Sequence, residues 1–312
     1  MESELFVDYF KEWVETYKVG AVRDVTLNKY KMTHRSLSNI VPDLTIDKLD
    51  RRVYQKILNE YAKTHEKATT TDFHHQVKAC VQDMFHDGIL DRDPTYRAII
   101  KGKKPDHRKK NKFLQIDELT KLIRSLDLSN GINSDWLIMI IAKTGLRYAE
   151  ALALTPADFD FDQNVLHVNK TWKYKSKDGG FVETKTSTSI RTIAIDWQIV
   201  GQFRPVIQGM PENEPIFVKK NKDGSYVRQF NSTINGYLER KCKELEITII
   251  SIHGLRHTHA SVLLAAGVSI HSISARLGHA NVTVTQETYA HVLDDLKQKD
   301  NQKIIGTLMQ IA

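Results

Sequence analysis

The stretch Lys101-Gly-Lys-Lys-Pro-Asp-His-Arg-Lys-Lys-Asn-Lys112 does most to limit what this chain can fold into. Gly102 and Pro105 interrupt any helix, and so dense a run of Lys and Arg cannot enter a core. The segment 101–112 therefore reads as an interdomain linker, with one unit of 1–100 before it and another of 113–312 after it. The length of 312 residues and an apolar content of 41% suffice for two cores. Taken alone, such a charge run reads as a solvated tether.

Before the linker the apolar spacing is helical. Leu5, Phe6, Tyr9, Phe10, Trp13, Val14 and Tyr17 make one wide aromatic face. A second stripe runs through Phe73, Val77, Cys80, Val81, Met84 and Phe85, with N-caps offered at Thr69 to Thr71 and a stop at Gly88. Weaker patterns over 25–40 and 49–63 fill the interval, so 1–100 is expected to be a helical bundle.

After the linker the period changes twice. Helices are expected over 116–126, over 134–143, and from Thr144-Gly-Leu-Arg147 to the stop at Pro156. Alternating, β-branched segments follow at Val165 to Trp172, Phe181 to Lys185 and Ser189 to Ile195, with a turn signal at Asp178-Gly-Gly180. Helical spacing returns over 230–245 and 254–266 and in an amphipathic tail over 293–311. The fold class is mainly α with a small antiparallel β-sheet: a helical bundle followed by a mixed α+β domain.

A formal net charge of +7 suits a polyanionic partner, since Lys and Arg release counterions from phosphate. The start Met-Glu-Ser-Glu lacks a secretory signal, and no apolar run is long enough to cross a bilayer, so a cytoplasmic protein with no membrane partner is expected. Cys80 and Cys242 lie far apart and suggest neither a disulfide framework nor a paired-Cys zinc site.

Chemistry concentrates near the C-terminus. His253-Gly-Leu-Arg256-His257, Leu277-Gly-His279 and Tyr289 bring imidazoles, a guanidinium and a phenol together, while Ser251 to His291 holds one carboxylate, Glu287. A phenol can attack phosphorus, a fixed cation can steady charge on the non-bridging oxygens, and imidazoles can move protons. Metal-assisted nucleases need clustered carboxylates, so no metal or other cofactor is called for. His253 and His257 have the spacing of metal ligands, but Gly254 stands where the zinc-protease pattern needs Glu. His259, His271 and His291 are assigned no catalytic role. Arg147, at the start of a helix, and Glu150, one turn on, form a pair in which Glu150 orients its element.

These motifs together resemble the tyrosine recombinases, in particular the integrases of phages and conjugative transposons. Thr144-Gly-Leu-Arg-Tyr-Ala-Glu150 is similar to their first arginine box. Thr184-Lys-Thr-Ser-Thr-Ser-Ile-Arg191 is similar to the β-hairpin lysine motif, and His253-Gly-Leu-Arg-His-Thr-His-Ala260 to the second arginine box. Leu277-Gly-His279 and Thr288-Tyr-Ala-His291 match the last histidine and the nucleophile.

The resemblance implies that Tyr289 forms a 3′-phosphotyrosine link and frees a 5′-hydroxyl, without ATP. Arg147 and Arg256 would clamp the phosphate, Lys185 would protonate the leaving oxygen, His253 would serve the tyrosine as acid-base partner, and His279 would hydrogen-bond the phosphate. Glu150 and His257 would support them. Lys173, Lys175 and Lys177, read as lying on the preceding strand, compete for the lysine role, but only Lys185 heads the Lys-Thr-x-x-Ser-x-Arg pattern.

The implied partners are double-stranded DNA at core recombination sites, a homo-tetramer on that DNA passing through a Holliday junction, and an accessory DNA-bending or excision factor, in a bacterial host cell. The two domains would clamp the DNA, with Lys101, Lys103, Lys104, Arg108, Lys109, Lys110 and Lys112 as a strap along its backbone. The tail after Tyr289 would dock on a neighbouring protomer or on its own domain. Phage-type integrases carry a further small domain for arm-type sites, so truncation of a longer protein is expected. Two other readings are a type IB topoisomerase, which shares the catalytic groups, and a non-catalytic DNA-binding accessory protein, which the full set of groups disfavours.

Overall fold

The computed structural model describes residues 4–104, 113–176, 179–184 and 187–290, together with 305, 308 and 309. The chain divides into two compact units, Met1–Arg108 and Lys109–Ala312, so the division falls inside the Lys-rich stretch. Lys185, Lys177, Arg108, Lys109, Lys110 and Lys112 lie outside the described residues, as does the tail apart from Ile305, Leu308 and Met309.

The first unit consists of α1 (Phe6–Tyr17), α2 (Asp24–Ile40), α3 (Arg51–Ala62) and α4 (Lys67–His86). Phe6, Phe10 and Trp13 of α1 are buried with Leu37 of α2, Tyr54 of α3 and Val77 of α4 in one core. The indole of Trp13 donates to Asp83 Oδ2 at 2.8 Å, which ties α1 to α4 and satisfies the ring's polar atom. Tyr17, the last residue of the predicted stripe, is instead exposed.

Helix α4 begins two residues before the threonines that offer themselves as caps. Thr70 and Thr71 lie inside it, their hydroxyls donating back to the carbonyls of Glu66 and Lys67. The chain returning at 102–103 fixes this start: Lys103 N donates to His65 O at 2.8 Å, and a Cβ on Gly102 would lie 2.1 Å from Lys67 N. Gly102 thus permits a close backbone approach, and the first residues of the basic stretch are held to the helical unit. At the other end Gly88, with φ of +75°, closes α4 as its amide donates to Phe85 O.

The second unit is organised by α6 (Ser134–Thr144), preceded by α5 (Ile116–Arg124). Trp136 to Ala142 are buried without a break, as befits a helix covered on all sides. Asn133 caps it by accepting from Asp135 N. After α7 (Tyr148–Leu152) come β1 (Phe159–Asp160), β2 (Val165–Val168), β3 (Lys170–Trp172), β4 (Phe181–Glu183) and β5 (Arg191–Ala194).

The strands form two antiparallel sheets rather than one: a three-stranded sheet in the order β1-β2-β5 and a separate β3-β4 ribbon. Leu166 pairs with Ile193, both facing the core, while His167 pairs with Thr192 outside. All three residues of β4 are exposed, and the ribbon reaches the core through Trp172 of β3, which is buried. Lys173 and Lys175 fall beyond the end of β3, in the turn, and not on the strand expected to carry them.

Five further helices with defined bounds follow among the described residues: α8 (Trp197–Ile207), α9 (Asn231–Glu244), α10 (Ile252–Ala265), α11 (Ile270–Leu277) and α12 (Val282–Thr288). Side-chain caps mark four of their starts: Asp196, Ser251, Ser269 and Asn281 each accept from a backbone amide of the first turn. Among the described residues no helix is long and apolar enough to cross a membrane.

Candidate active site

The turn between α6 and α7 sets the first arginine. Gly145 has φ of +71°, and a Cβ there would meet the His259 ring at 2.7 Å, so both conformation and space require glycine. The reversal makes Arg147 the N-cap of α7. Glu150 Oε2 accepts from the Arg147 backbone amide at 2.9 Å and its Oε1 from Arg147 Nη1 at 2.7 Å. Arg147 Nη2 donates to Gly278 O at 3.1 Å, and the side chain keeps 37% of its surface exposed.

The second arginine lies deeper. Arg256, on α10 and only 2% exposed, donates from Nη1 to Gly145 O at 2.8 Å and from Nη2 to Leu277 O at 2.6 Å. Burial, and then the charge of Arg147, push its pKa down to about 9, which leaves it protonated at neutral pH. The two arginines thus grip consecutive carbonyls, Leu277 and Gly278, of the turn that leads into His279.

His279 is held from both sides. Its amide donates to Ser274 O, and its Nδ1 lies 2.8 Å from Thr285 Oγ1 of α12. Burial, followed by the charges of Arg256, Arg147 and Arg191, pushes its pKa down to about 4. The imidazole is therefore neutral near pH 7 and donates from a single nitrogen.

Tyr289 follows α12 and is 2% exposed, its ring packed with Ala260, Leu264, Ile273 and Leu277. Its hydroxyl lies 3.1 Å from His257 Nδ1. Sequence reasoning paired the tyrosine with His253; the structure brings His257 to it. The four-residue spacing stacks His253 on His257 edge to face, with ring centroids 4.9 Å apart, and leaves His253 at the surface. Desolvation, then Arg256 and Arg147, lowers the pKa of His253. Burial pushes the phenol of Tyr289 up to about 12, against the pull of Arg256.

Three residues given no catalytic part build the frame. Arg191, on β5, donates to both oxygens of Glu150, at 3.2 and 2.9 Å, to Arg276 O at 2.7 Å and to Ser189 O at 2.9 Å. The signal for it was its place as the last member of the Lys-Thr-x-x-Ser-x-Arg pattern. His259 bonds through Nδ1 to Ala142 O and through Nε2 to Arg276 Nε, and Arg276 donates onward to Ala194 O. Nothing in the linear spacing of His259 and Arg276 reveals this link. Glu150, 1% exposed, remains ionised: burial works to raise its pKa, but the hydrogen bond and charge of Arg191, and then Arg147, bring it below the usual carboxylate range.

Of the six expected catalytic residues the structure therefore brings together Arg147, Arg256, His279 and Tyr289, with His253 one turn from the tyrosine's partner. Lys185 lies outside the described residues. Of the strap, Lys101, Lys103 and Lys104 are described and exposed.

The site thus sets a buried phenol beside paired arginines and imidazoles, in a helical domain with a small sheet. Residues 112–295 match the model of the phage integrase family, and the chain belongs to that family. The ICEBs1 integrase of Bacillus subtilis (strain 168) is 28% identical over 280 residues, covering 86% of this chain and 69% of the relative. The integrase of Staphylococcus phage L54a is 25% identical over 321 residues, covering 94% and 90%. The fold is also that of the Tn1549 transposon integrase solved in complex with a circular intermediate DNA, with a TM-score of 0.76 at 19% identity over 96% of this chain and 100% of that one. A lambda integrase dimer bound to a core site matches with a TM-score of 0.64 at 15% identity over 92% and 77%. The chain is a tyrosine recombinase of the integrase type, a site-specific recombination enzyme related to those of phages and transposons.

Proposed function

We propose that this recombinase binds double-stranded DNA at core recombination sites and breaks and rejoins it through a 3′-phosphotyrosine at Tyr289, needing neither metal nor ATP. The observation that carries this reading is the grip of Arg147 and Arg256 on the consecutive carbonyls of Leu277 and Gly278, which puts two cations and His279 at one point. Each guanidinium has five N–H donors, so donors remain for the non-bridging oxygens of a phosphate. Arg147, the more exposed, meets the phosphate first; Arg256 stabilises the charge that grows in the transition state. Neutral His279 donates a hydrogen bond to the same group.

The phenol must lose its proton as it attacks. With a pKa near 12, about one molecule in 10⁵ is ionised at pH 7, so a base is needed. His257 Nδ1 accepts that proton, and His253, edge-on to it at the surface, exchanges it with solvent. Lys185 protonates the departing 5′-oxygen. Because Tyr289 is buried against α11, its segment moves outward before attack on a DNA phosphate. The phosphotyrosine keeps the energy of the phosphodiester, so a 5′-hydroxyl of a second duplex reverses the step. Repeated in pairs within a homo-tetramer, through a Holliday junction, this integrates and excises a mobile element, with an accessory DNA-bending or excision factor setting direction.

The basic stretch from Lys101 to Lys112 contributes affinity along the DNA backbone, and its contacts make binding depend on salt. The test of the reading is a nicked suicide substrate carrying a candidate core site, incubated in EDTA. A covalent adduct that maps to Tyr289 supports it; cleavage that strictly requires a divalent ion removes it.

A further inference from the structure

Arg191 is the charged group nearest the site for which the chemistry above has no use. Its side chain is 6% exposed, and all three of its nitrogens donate within the fold, to Glu150, Arg276 O and Ser189 O. Yet it takes up half of what Glu150 offers. Glu150 Oε1 accepts from Arg147 Nη1 at 2.7 Å and from Arg191 Nη1 at 3.2 Å, while Oε2 accepts from the Arg147 amide at 2.9 Å and from Arg191 Nη2 at 2.9 Å. An ionised carboxylate has about four acceptor positions, and all are filled. Arg191 holds the carboxylate as a two-point fork, whereas Arg147 touches it with one side-chain nitrogen.

The charges follow from this count. One buried anion is shared by two cations, so one positive charge is left over, and it resides on the partner that reaches the surface, Arg147. Remove Arg191 and Glu150 stays buried, 1% exposed, with Arg147, among the described residues, as the side-chain cation still hydrogen-bonded to it and Arg256 near enough to feel its charge. A buried carboxylate with a vacated edge draws its remaining partner into a two-point pair, because an uncompensated buried charge is costly. Arg147 would then turn inward, and its charge and donors would be lost to a phosphate.

We propose that Arg191 is a positioning residue for cleavage: by occupying both oxygens of Glu150 it prevents that carboxylate from neutralising Arg147, and so keeps Arg147 available to the DNA phosphate. The same guanidinium steadies the turn that both arginines grip, since it donates to Arg276 O and a Cβ on Gly278 would meet its Nη1 at 3.0 Å. This inference rests on the reading of Arg147 as a phosphate ligand.

A double-mutant cycle on the full chain tests it, with single-turnover adduct formation on a suicide substrate as the readout. R191M is expected to slow adduct formation on the order of 10²-fold while DNA affinity stays within about threefold. R191K, which keeps the charge and loses the fork, is expected to recover about tenfold of that loss. The deciding comparison is E150Q with E150Q/R191M: once the carboxylate is gone Arg191 has nothing to restrain, so the two rates should agree within about threefold. A wild-type rate in R191M, or an equal loss from R191M in both backgrounds, overturns the proposal. All variants are checked for cooperative melting, and the E150Q pair, which leaves no buried carboxylate unpaired, decides the matter if R191M alone does not fold. Absence of an adduct with the unsubstituted protein would instead overturn the recombinase reading itself.

Discussion

The hydroxyl of Tyr289 lies 3.1 Å from Nδ1 of His257, not beside His253, the imidazole that opens the same motif. His257→Ala should therefore slow adduct formation on the order of 10²-fold, the usual effect of losing a positioned base. His253→Ala should cost less, and should change the pH profile more than the maximal rate. Single-turnover cleavage measured from pH 6 to 9 distinguishes the two. An unaltered His257→Ala beside an inactive His253→Ala would reassign the base.

Arg256 has two duties that one substitution exposes together. Arg256→Ala should slow cleavage on the order of 10² to 10³-fold, as does loss of a charge-stabilising donor elsewhere. It also strips the donors from the buried carbonyls of Gly145 and Leu277, which should cost about 2–4 kcal/mol. Calorimetry and cleavage assays on one preparation check both; undiminished cleavage would mean that the phosphate is held elsewhere.

Gly278 is constrained by conformation and by its neighbour. Its φ is +66°, and a Cβ would lie 3.0 Å from Arg191 Nη1 and 3.1 Å from Thr188 O. Gly278→Ala should cost about 1–2 kcal/mol from the left-handed backbone alone. It should also slow adduct formation, because the displaced turn carries carbonyls bound by Arg147 and Arg256. A variant with normal melting and normal cleavage would show that the turn can relax without consequence.

His259 makes stability depend on pH. Burial, then the charge of Arg276, pushes its pKa down to about 3, and its two nitrogens are committed to Ala142 O and Arg276 Nε. Because the folded pKa is depressed, the unfolded chain takes up the proton first. The contribution is complete above about pH 6.5 and is lost as pH falls toward 3, at a slope of about 1.4 kcal/mol per pH unit. Denaturant titrations between pH 7 and 4 measure that slope, and His259→Gln should flatten it by one proton.

The helices and the chemical groups were legible in the sequence for different reasons. Stripes such as Phe6, Phe10 and Trp13, or the unbroken apolar run of α6, announce burial directly, because side-chain period maps onto a helix face. Tyr289 and the two arginines were visible through their motifs, and four of the six expected groups do converge. What the sequence concealed were contacts made across the fold. Thr69 to Thr71 look like caps, yet the start of α4 is set by residues 102–103. The sequence pointed to His253 as the tyrosine's partner, and the fold brings His257 to it instead. Arg191 reads as the end of a motif; only the tertiary structure shows its fork on Glu150. The strand pair β3-β4 and the three-stranded sheet β1-β2-β5 look like one sheet because alternation does not specify which strands pair.

The central claim is that Tyr289 is the nucleophile. The most direct measurement is adduct formation on a nicked suicide substrate in EDTA, comparing the unsubstituted protein with Tyr289→Phe and mapping the labelled peptide. The account predicts a covalent complex at Tyr289 in the first, and in the second DNA binding within about threefold of normal with no complex, since only the attacking oxygen is lost. A protein–DNA adduct that persists in Tyr289→Phe, or one that maps to another residue, would contradict it.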